Sequence, residues 1–267
     1  MKLSIVLSTQ PASFQAATFK GNLEENLRLI ASLGYDGVEL AIRDPRLMDL
    51  DALEKSIHAS GLYVPAIGTG QAWGEEGLSF TDPDASVRRH AIERILSHLT
   101  VAQRFGAVLI IGLLRGIVKP GVEAAQAKDW LVAALQECCR EAGKHGVRLA
   151  LEPINRYETT LINSTPQGLE LIKLVGADNF GLLLDTFHMN IEEADIEAGI
   201  QACGRHIFHF HVADSNRWHP GAGHLDFRSI LSTLQETGYE GWVSGEFLPL
   251  PDAVTAARES IKFLRTV

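Results

Sequence analysis

Apolar runs of strand length recur eight times along the chain, at about 3–8 (LSIVLS), 37–42 (GVELAI), 63–69 (YVPAIGT), 107–113 (AVLIIGL), 148–154 (RLALEPI), 180–186 (FGLLLDT), 207–214 (IFHFHVAD) and 241–247 (GWVSGEF). The segments between them carry apolar residues at helical spacing. LEENLRLIASLG, for example, places Leu23, Leu27, Ile30 and Leu33 on one stripe and reaches a stop at Gly34. ASVRRHAIERILSHLTVAQRFG, AAQAKDWLVAALQECCREAGKHG, PQGLELIKLVG, DFRSILSTLQETG and DAVTAARESIKFLRTV read the same way. Short continuous apolar strands suit a parallel sheet buried on both faces. The alternation therefore predicts an α/β fold, a single (β/α)8 TIM barrel occupying 1–267 as one domain. An open doubly wound sheet is the competitor, but STQPAS follows the first strand where a G-x-G-x-x-G would be expected.

The last four runs share a second pattern: each ends in a potential metal ligand, Glu152, Asp185, His211 and Glu246. Period-two alternation puts each on the same face as Ala150, Leu183, His209 and Ser244 respectively. One acidic residue at a strand end is more often a helix cap or a solvated loop group. Four in succession, at the strand ends where barrel active sites are built, point to one metal at the mouth. Three carboxylates and an imidazole suit a single divalent ion, Mn²⁺ first, with Co²⁺ or Mg²⁺ possible; structural zinc would prefer thiolates.

Composition narrows the function. The formal net charge of -9 argues against sequence-independent binding to nucleic acid, and no linker or low-complexity block marks a second domain. No apolar stretch is long enough to span a bilayer, and MKLSIVLSTQ lacks the features of a signal peptide, so the cytoplasm is the expected location. Three cysteines, Cys138 and Cys139 adjacent, make no disulfide framework and suit a reducing compartment.

The ligand set itself suggests chemistry. Glu152 and Glu246 come from strands five and eight and approach a central ligand from different sides. A metal that polarises a ketone and its neighbouring hydroxyl acidifies the C–H between them, so one glutamate can remove that proton and the other return one. That is epimerisation through a cis-enediolate. Glu158, His188 and Arg217 lie shortly beyond the ligands and would line the same mouth, the cation and imidazole stabilising the enediolate oxygen and Glu158 accepting from a hydroxyl. Among the neighbours, His209 reads as a hydrogen-bonded core histidine, Asp226 as a helix N-cap, His224 as a loop residue, and Gly221 and Gly223 as turn residues of a loop that shields the site. Trp218 reads as a partner-facing or loop-packing aromatic, and Trp73 either as a substrate contact from the third loop or as loop packing.

With these residues in place the chain resembles the D-tagatose 3-epimerase family of xylose-isomerase-like barrels from its first strand to its last. EPINRYET, LLLDTFHMNIEE and HFHVADSNRWHPGAGHLDF carry the resemblance most specifically. It implies Glu152, Asp185, His211 and Glu246 as metal ligands, Glu152 and Glu246 as the acid/base pair, Glu158, His188 and Arg217 at the substrate, and a homodimer or homotetramer. The free-ketose members place aromatic residues around the distal end of the sugar, where this chain has Leu7, Ser8, Leu113 and Leu114. Nearby stand Arg43 and Arg115, with Thr69 and Gln71 after strand three. Arginine suits capture of a carboxylate. IRDP, IGTGQAW and LLRG resemble the branch containing 5-keto-L-gluconate epimerases, so the expected substrate is a small ketose or a keto-acid sugar such as 5-keto-L-gluconate or tagaturonate.

Three other readings compete. An aldose–ketose isomerase of the hydroxypyruvate isomerase type would use the same metal and differ in the carbon that receives the proton. An endonuclease IV-type phosphodiesterase needs further histidines after strands three and four, where Gly68-Thr69 and Gly112-Leu113 stand. A sugar-binding barrel without catalysis is expected to have lost an acid/base group, and both glutamates are present.

Overall fold

The computed structural model describes residues 1–267. Its strands are β1 (Lys2–Ser8), β2 (Phe19–Lys20), β3 (Gly37–Ala41), β4 (Ala66–Gly68), β5 (Val108–Ile111), β6 (Leu149–Leu151), β7 (Phe180–Asp185), β8 (Ile207–Val212) and β9 (Trp242–Gly245). Every pairing is parallel, and β1 pairs with both β3 and β9, which closes an eight-stranded ring. The two-residue β2 adds to the end of β1 opposite Leu7 and Ser8. Ten α-helices surround or cap the ring: α1 (Leu23–Ser32), α2 (Leu50–Ser60), α3 (Gln71–Glu76), α4 (Ala85–Phe105), α5 (Ala124–Lys144), α6 (Thr165–Val175), α7 (Thr186–Glu192), α8 (Ile196–Cys203), α9 (Phe227–Glu236) and α10 (Ala253–Leu264). The fold is the TIM barrel that the alternation of patterns predicts. No helix is long and apolar enough to cross a membrane.

Local chemistry sets where elements start and stop. Asp49, Asp84 and Asp226 accept hydrogen bonds from the first backbone N–H groups of α2, α4 and α9, satisfying donors that have no partner within the helix. The strands are shorter than the apolar runs that announced them. Pro65 has no N–H to give the ladder, so the run 63–69 forms a strand only over Ala66–Gly68, with one isolated bridge from Tyr63 to Gly37. Pro153 likewise ends the run 148–154 at Leu151. After β5 the chain turns at Gly112 into a 3₁₀ turn, Leu113–Arg115.

The two faces of the strands fill two different cores. Outward residues such as Ile5, Leu7, Leu40, Ile67, Leu109 and Leu182 pack beneath the helices in the large apolar layer. Inward residues Ala66, Val108, Ile110, Ala150 and Leu183 form a small separate plug inside the ring. Above that plug, Ala41, Gly68 and Gly112 leave open space lined by the cavity described next. A Cβ on Gly112 would stand 3.3 Å from Glu152 Oε2, so glycine there lets the neighbouring strand end approach the carboxylate.

Candidate active site

The C-terminal ends of β6 to β9 bring Glu152, Asp185, His211 and Glu246 together, with one ligand atom from each lying within 4.8 Å of the others. Their division of labour is set by what surrounds each atom. Asp185 caps α7 by accepting from Phe187 N–H with Oδ1 at 2.7 Å, which leaves Oδ2 free. His211 Nδ1 stands 3.9 Å from Glu152 Oε1, 3.9 Å from Asp185 Oδ2 and 3.8 Å from Glu246 Oε2. Glu152 Oε1, Asp185 Oδ2 and His211 Nδ1 are buried and have no hydrogen-bond partner. Buried polar atoms without partners are costly, and three that converge on one point suit a shared cation. Two carboxylate oxygens, one imidazole nitrogen and Glu246 beside them are the donors that a divalent ion of the Mn²⁺ or Mg²⁺ type accepts.

Electrostatics agree with that reading. Burial, then the charge of Glu246, holds the Glu152 carboxyl well above the ordinary range. Burial also raises Asp185, and pushes Glu246 up to about 7 although His211 and Arg217 pull it down. Burial would lower His211, but Glu39 and Glu246 outweigh it and push the imidazole up to about 10. Without a cation the cluster must keep protons that a divalent ion would replace.

Around the cluster, three further groups are held by a continuous network. Arg217 takes a left-handed backbone conformation, φ 60°, and donates to Glu158 Oε1 and to Glu246 Oε2, both at 3.0 Å. Its guanidinium also lies 4.7 Å from the centre of the Phe187 ring. Asn155 Oδ1 accepts from Tyr157 N–H, so its amide nitrogen faces Glu158 Oε1 and His188 Nδ1, each at 2.8 Å. Nδ1 of His188 is thereby the acceptor, and its Nε2–H points toward Glu152 Oε1 at 3.6 Å. Burial first and the nearby Arg217 second keep this imidazole neutral, well below its usual range.

A cavity of about 220 Å³ opens in front of these groups. Its walls include Glu152, Glu158, His188, His211, Arg217 and Glu246 on one side. Val6, Phe14, Trp73, Ile110 and Leu113 face them. The profile of the xylose isomerase-like TIM barrel family matches residues 27–267. The chain belongs to this family.

The relatives of this xylose isomerase-like barrel are named epimerases and isomerases. An L-ribulose 3-epimerase of Mesorhizobium japonicum is 34% identical over 235 residues, 87% of this chain and 78% of that protein. A D-psicose 3-epimerase of Ruminiclostridium cellulolyticum is 32% identical over 80% of this chain and 74% of its own length. A 3-dehydro-D-guloside 4-epimerase of Escherichia coli is 28% identical over 94% of this chain and 97% of its own. Among solved structures, the D-allulose 3-epimerase of a Methylomonas species in complex with D-allulose superposes with a TM-score of 0.86 at 23% identity, over 100% of this chain and 96% of that one, a likeness of fold. These names are consistent with a carbohydrate epimerase.

Not every expected residue reaches the cavity of the barrel. Thr69 and Gln71 line it; Thr69 Oγ1 donates to Ile110 O, and Gln71 Nε2 donates to Ser8 Oγ. Arg43 and Arg115 do not. Arg43 points to Glu76, with Nε 3.6 Å from its carboxylate, and its backbone is fixed by Gln10 and Arg94. Arg115 is fully buried and spends its donors on the carbonyls of Gly112, Leu161, Ile162 and Glu152. The structure thus does not bring these two arginines, expected at the substrate, to the cavity: one pairs with Glu76 at the end of α3, the other clamps backbone.

Three residues escaped the sequence reading. Glu39 sits in the middle of β3 and hydrogen-bonds both His209 and His211. Asn155 sets His188. Asp214, fully buried, accepts from Ser215, Gly221 and Leu225 N–H groups and so shapes the loop that presents Arg217. A charged residue inside an apolar strand, as at Glu39, is the one signal that was available in the sequence.

Proposed function

We propose that the protein is a divalent-metal-dependent ketose epimerase that inverts a carbon next to the ketone, C3 in a 2-ketose, with Glu152 and Glu246 as the acid/base pair. The observation that carries this reading is the convergence of the three unpartnered ligand atoms of Glu152, Asp185 and His211 on one point beside Glu246. When bound there, a divalent ion supplies the positive charge that polarises a ketone and the adjacent hydroxyl and acidifies the C–H between them. Three carboxylates and one imidazole, with no thiolate, favour Mn²⁺ over zinc.

The residues of the chain supply the remaining steps. One glutamate takes the proton from one face of the carbon, and the C–H electron pair enters the C2–C3 bond of the enediolate. The other glutamate delivers a proton to the opposite face, and the ketone re-forms with inverted configuration. His188, neutral and with Nε2–H directed toward Glu152, is a donor for the enediolate oxygen. Arg217 holds Glu246 and Glu158 at fixed positions, and the second oxygen of Glu158 accepts from a substrate hydroxyl.

Charge around the cavity favours a neutral sugar over a keto acid. Arg217 is its only arginine or lysine, and that side chain is already shared by two glutamates. Glu39, Glu75, Glu152, Glu158 and Glu246 also line the space. Away from the ion, a substrate carboxylate would meet acidic neighbours with no free cationic side chain to pair with.

The test is product analysis with manganese-loaded protein and D-fructose, D-psicose, L-ribulose and 5-keto-L-gluconate. The 3-epimers of the neutral ketoses are the expected products. Faster conversion of 5-keto-L-gluconate would overturn the neutral-substrate reading, and an aldose product would place the protein among aldose–ketose isomerases. We also infer that it acts as one domain over 1–267, as a homodimer or homotetramer in the cytoplasm; three buried, unpaired cysteines suit a reducing compartment.

A further inference from the structure

Beneath the ligand cluster lies a layer of polar groups that no step above uses. Glu39 is 2% exposed, between Val38 and Leu40, which pack outward under the helices. Its carboxylate meets two imidazoles: His209 Nε2 at 2.8 Å, and His211 Nε2 at 2.9 and 3.1 Å from its two oxygens. An ionised carboxylate only accepts, so both Nε2 atoms carry the proton. For His211 this leaves Nδ1 as the ring atom that faces Glu152, Asp185 and Glu246.

We propose that Glu39 is the positioning residue of the metal site, holding His211 with Nε2–H directed down the barrel and the Nδ1 lone pair directed at the ion. Without that acceptor the imidazole is free to carry its proton on Nδ1, which places an N–H where the cation has to sit. A carboxylate on the far nitrogen also makes the imidazole a stronger donor to metal. His209 shares the same carboxylate and fixes its rotamer from the opposite side. The identity of Glu39 follows from this arrangement: a neutral apolar residue would pack in β3 equally well but leave two buried N–H groups unpaired.

The inference rests on the reading of the four side chains as a metal site, and the test separates the two. Glu39→Gln preserves volume, and its amide oxygen can still accept from both imidazoles, but it removes the negative charge and sets an NH2 donor where Oε1 stands 3.1 Å from His211 Nε2, which favours the tautomer with the proton on Nδ1. Divalent-ion affinity, measured by competition with a fluorescent chelator, is expected to fall about 10- to 100-fold in Glu39→Gln and no more than about threefold in His209→Gln. In the zinc-loaded wild-type protein, ¹⁵N spectra of His211 are expected to show Nε2 protonated and Nδ1 coordinating. Equal affinity of Glu39→Gln and wild type, or an equal loss in His209→Gln, overturns the proposal, the second outcome marking a general packing role. Coordination through Nε2 in the wild type overturns it even if Glu39→Gln does not fold. A wild-type chain that takes up no divalent ion overturns both readings.

Discussion

The two halves of the barrel mouth are built from the same kind of strand end and have opposite characters. Over β1, β3, β4 and β5 the residues at the cavity are Val6, Ala41, Gly68, Thr69, Ile110 and Gly112, small or apolar apart from Thr69, whose hydroxyl is already bonded to a backbone carbonyl; the one charged residue of this half, Glu39 of β3, is turned to His209 and His211. Over β6 to β9 the corresponding ends carry Glu152, Asp185 and His211, buried and each with one atom short of a partner, and the partly buried Glu246, held by Arg217. One half provides room and contact area; the other stores unfavourable charge that only a proton or a cation relieves. A stable fold tolerates such charge where function requires it, so in the proposed reaction the asymmetry separates the reacting side of the cavity from the side that receives the rest of the substrate.

The sharpest way to break this comparison is to neutralise the charged half. Glu152→Gln and Glu246→Gln, assayed with metal present, are expected to lower kcat by about 10²- to 10⁴-fold, the usual contribution of a general acid or base. A loss of less than about tenfold in either would remove that residue from the acid/base pair.

Next in size is a stability effect from the other half. Arg115→Met leaves four backbone carbonyls without the guanidinium, including that of Glu152. Unfolding by urea is expected to show a loss of about 3 kcal/mol, since unsatisfied buried acceptors cost about 1–3 kcal/mol each and part of the strain relaxes. An unchanged midpoint with an altered preference for acidic sugars would restore Arg115 as a substrate residue.

Metal removal exposes the stored charge directly. In the metal-free chain His211 holds its proton until about pH 10, whereas an unfolded histidine releases it near 6.5. Between pH 7 and 9.5 the folded state thus binds more protons than the unfolded one, and stability falls as pH rises. The slope approaches about 1.4 kcal/mol per pH unit for one such group. Thermal melts of EDTA-treated protein should decline over this window, while metal-loaded protein, whose His211 Nδ1 is occupied, should show a flatter profile. Parallel profiles would contradict a cation at His211.

The smallest expected effect is at Arg43. Arg43→Ala should change the ratio of kcat/KM for neutral and acidic sugars by less than about threefold, because its side chain faces Glu76 rather than the cavity.

The sequence made different parts of this molecule legible to different degrees. Period-two and period-3.6 patterns predicted the alternation of strands and helices, and the register of Glu152, Asp185, His211 and Glu246 placed them at one end of the barrel because side-chain direction along a strand is fixed by parity. Side-chain reach was not readable. Arg43 and Arg115 follow their strands just as the ligands follow theirs, yet one turns to Glu76 at the end of α3 and the other folds under the 3₁₀ turn at Leu113–Arg115 to bond carbonyls. Long, flexible cations take whatever acceptors the loops offer, and loop geometry is not periodic. Glu39 was missed for the opposite reason: its strand reads as apolar, and its partners His209 and His211 lie 170 and 172 residues away. Strand lengths were overestimated where Pro65 and Pro153 interrupt the ladder.

The central claim is proton transfer at a carbon beside a ketone by two glutamates at a metal site. The most direct measurement is incorporation of deuterium into a neutral ketose in D₂O, followed by mass spectrometry with wild type, metal-stripped protein and Glu246→Gln. The account predicts one deuterium at C3, appearing with the epimer and lost in both controls. Epimer formed without solvent deuterium, or label incorporated equally by the metal-stripped protein, would contradict it.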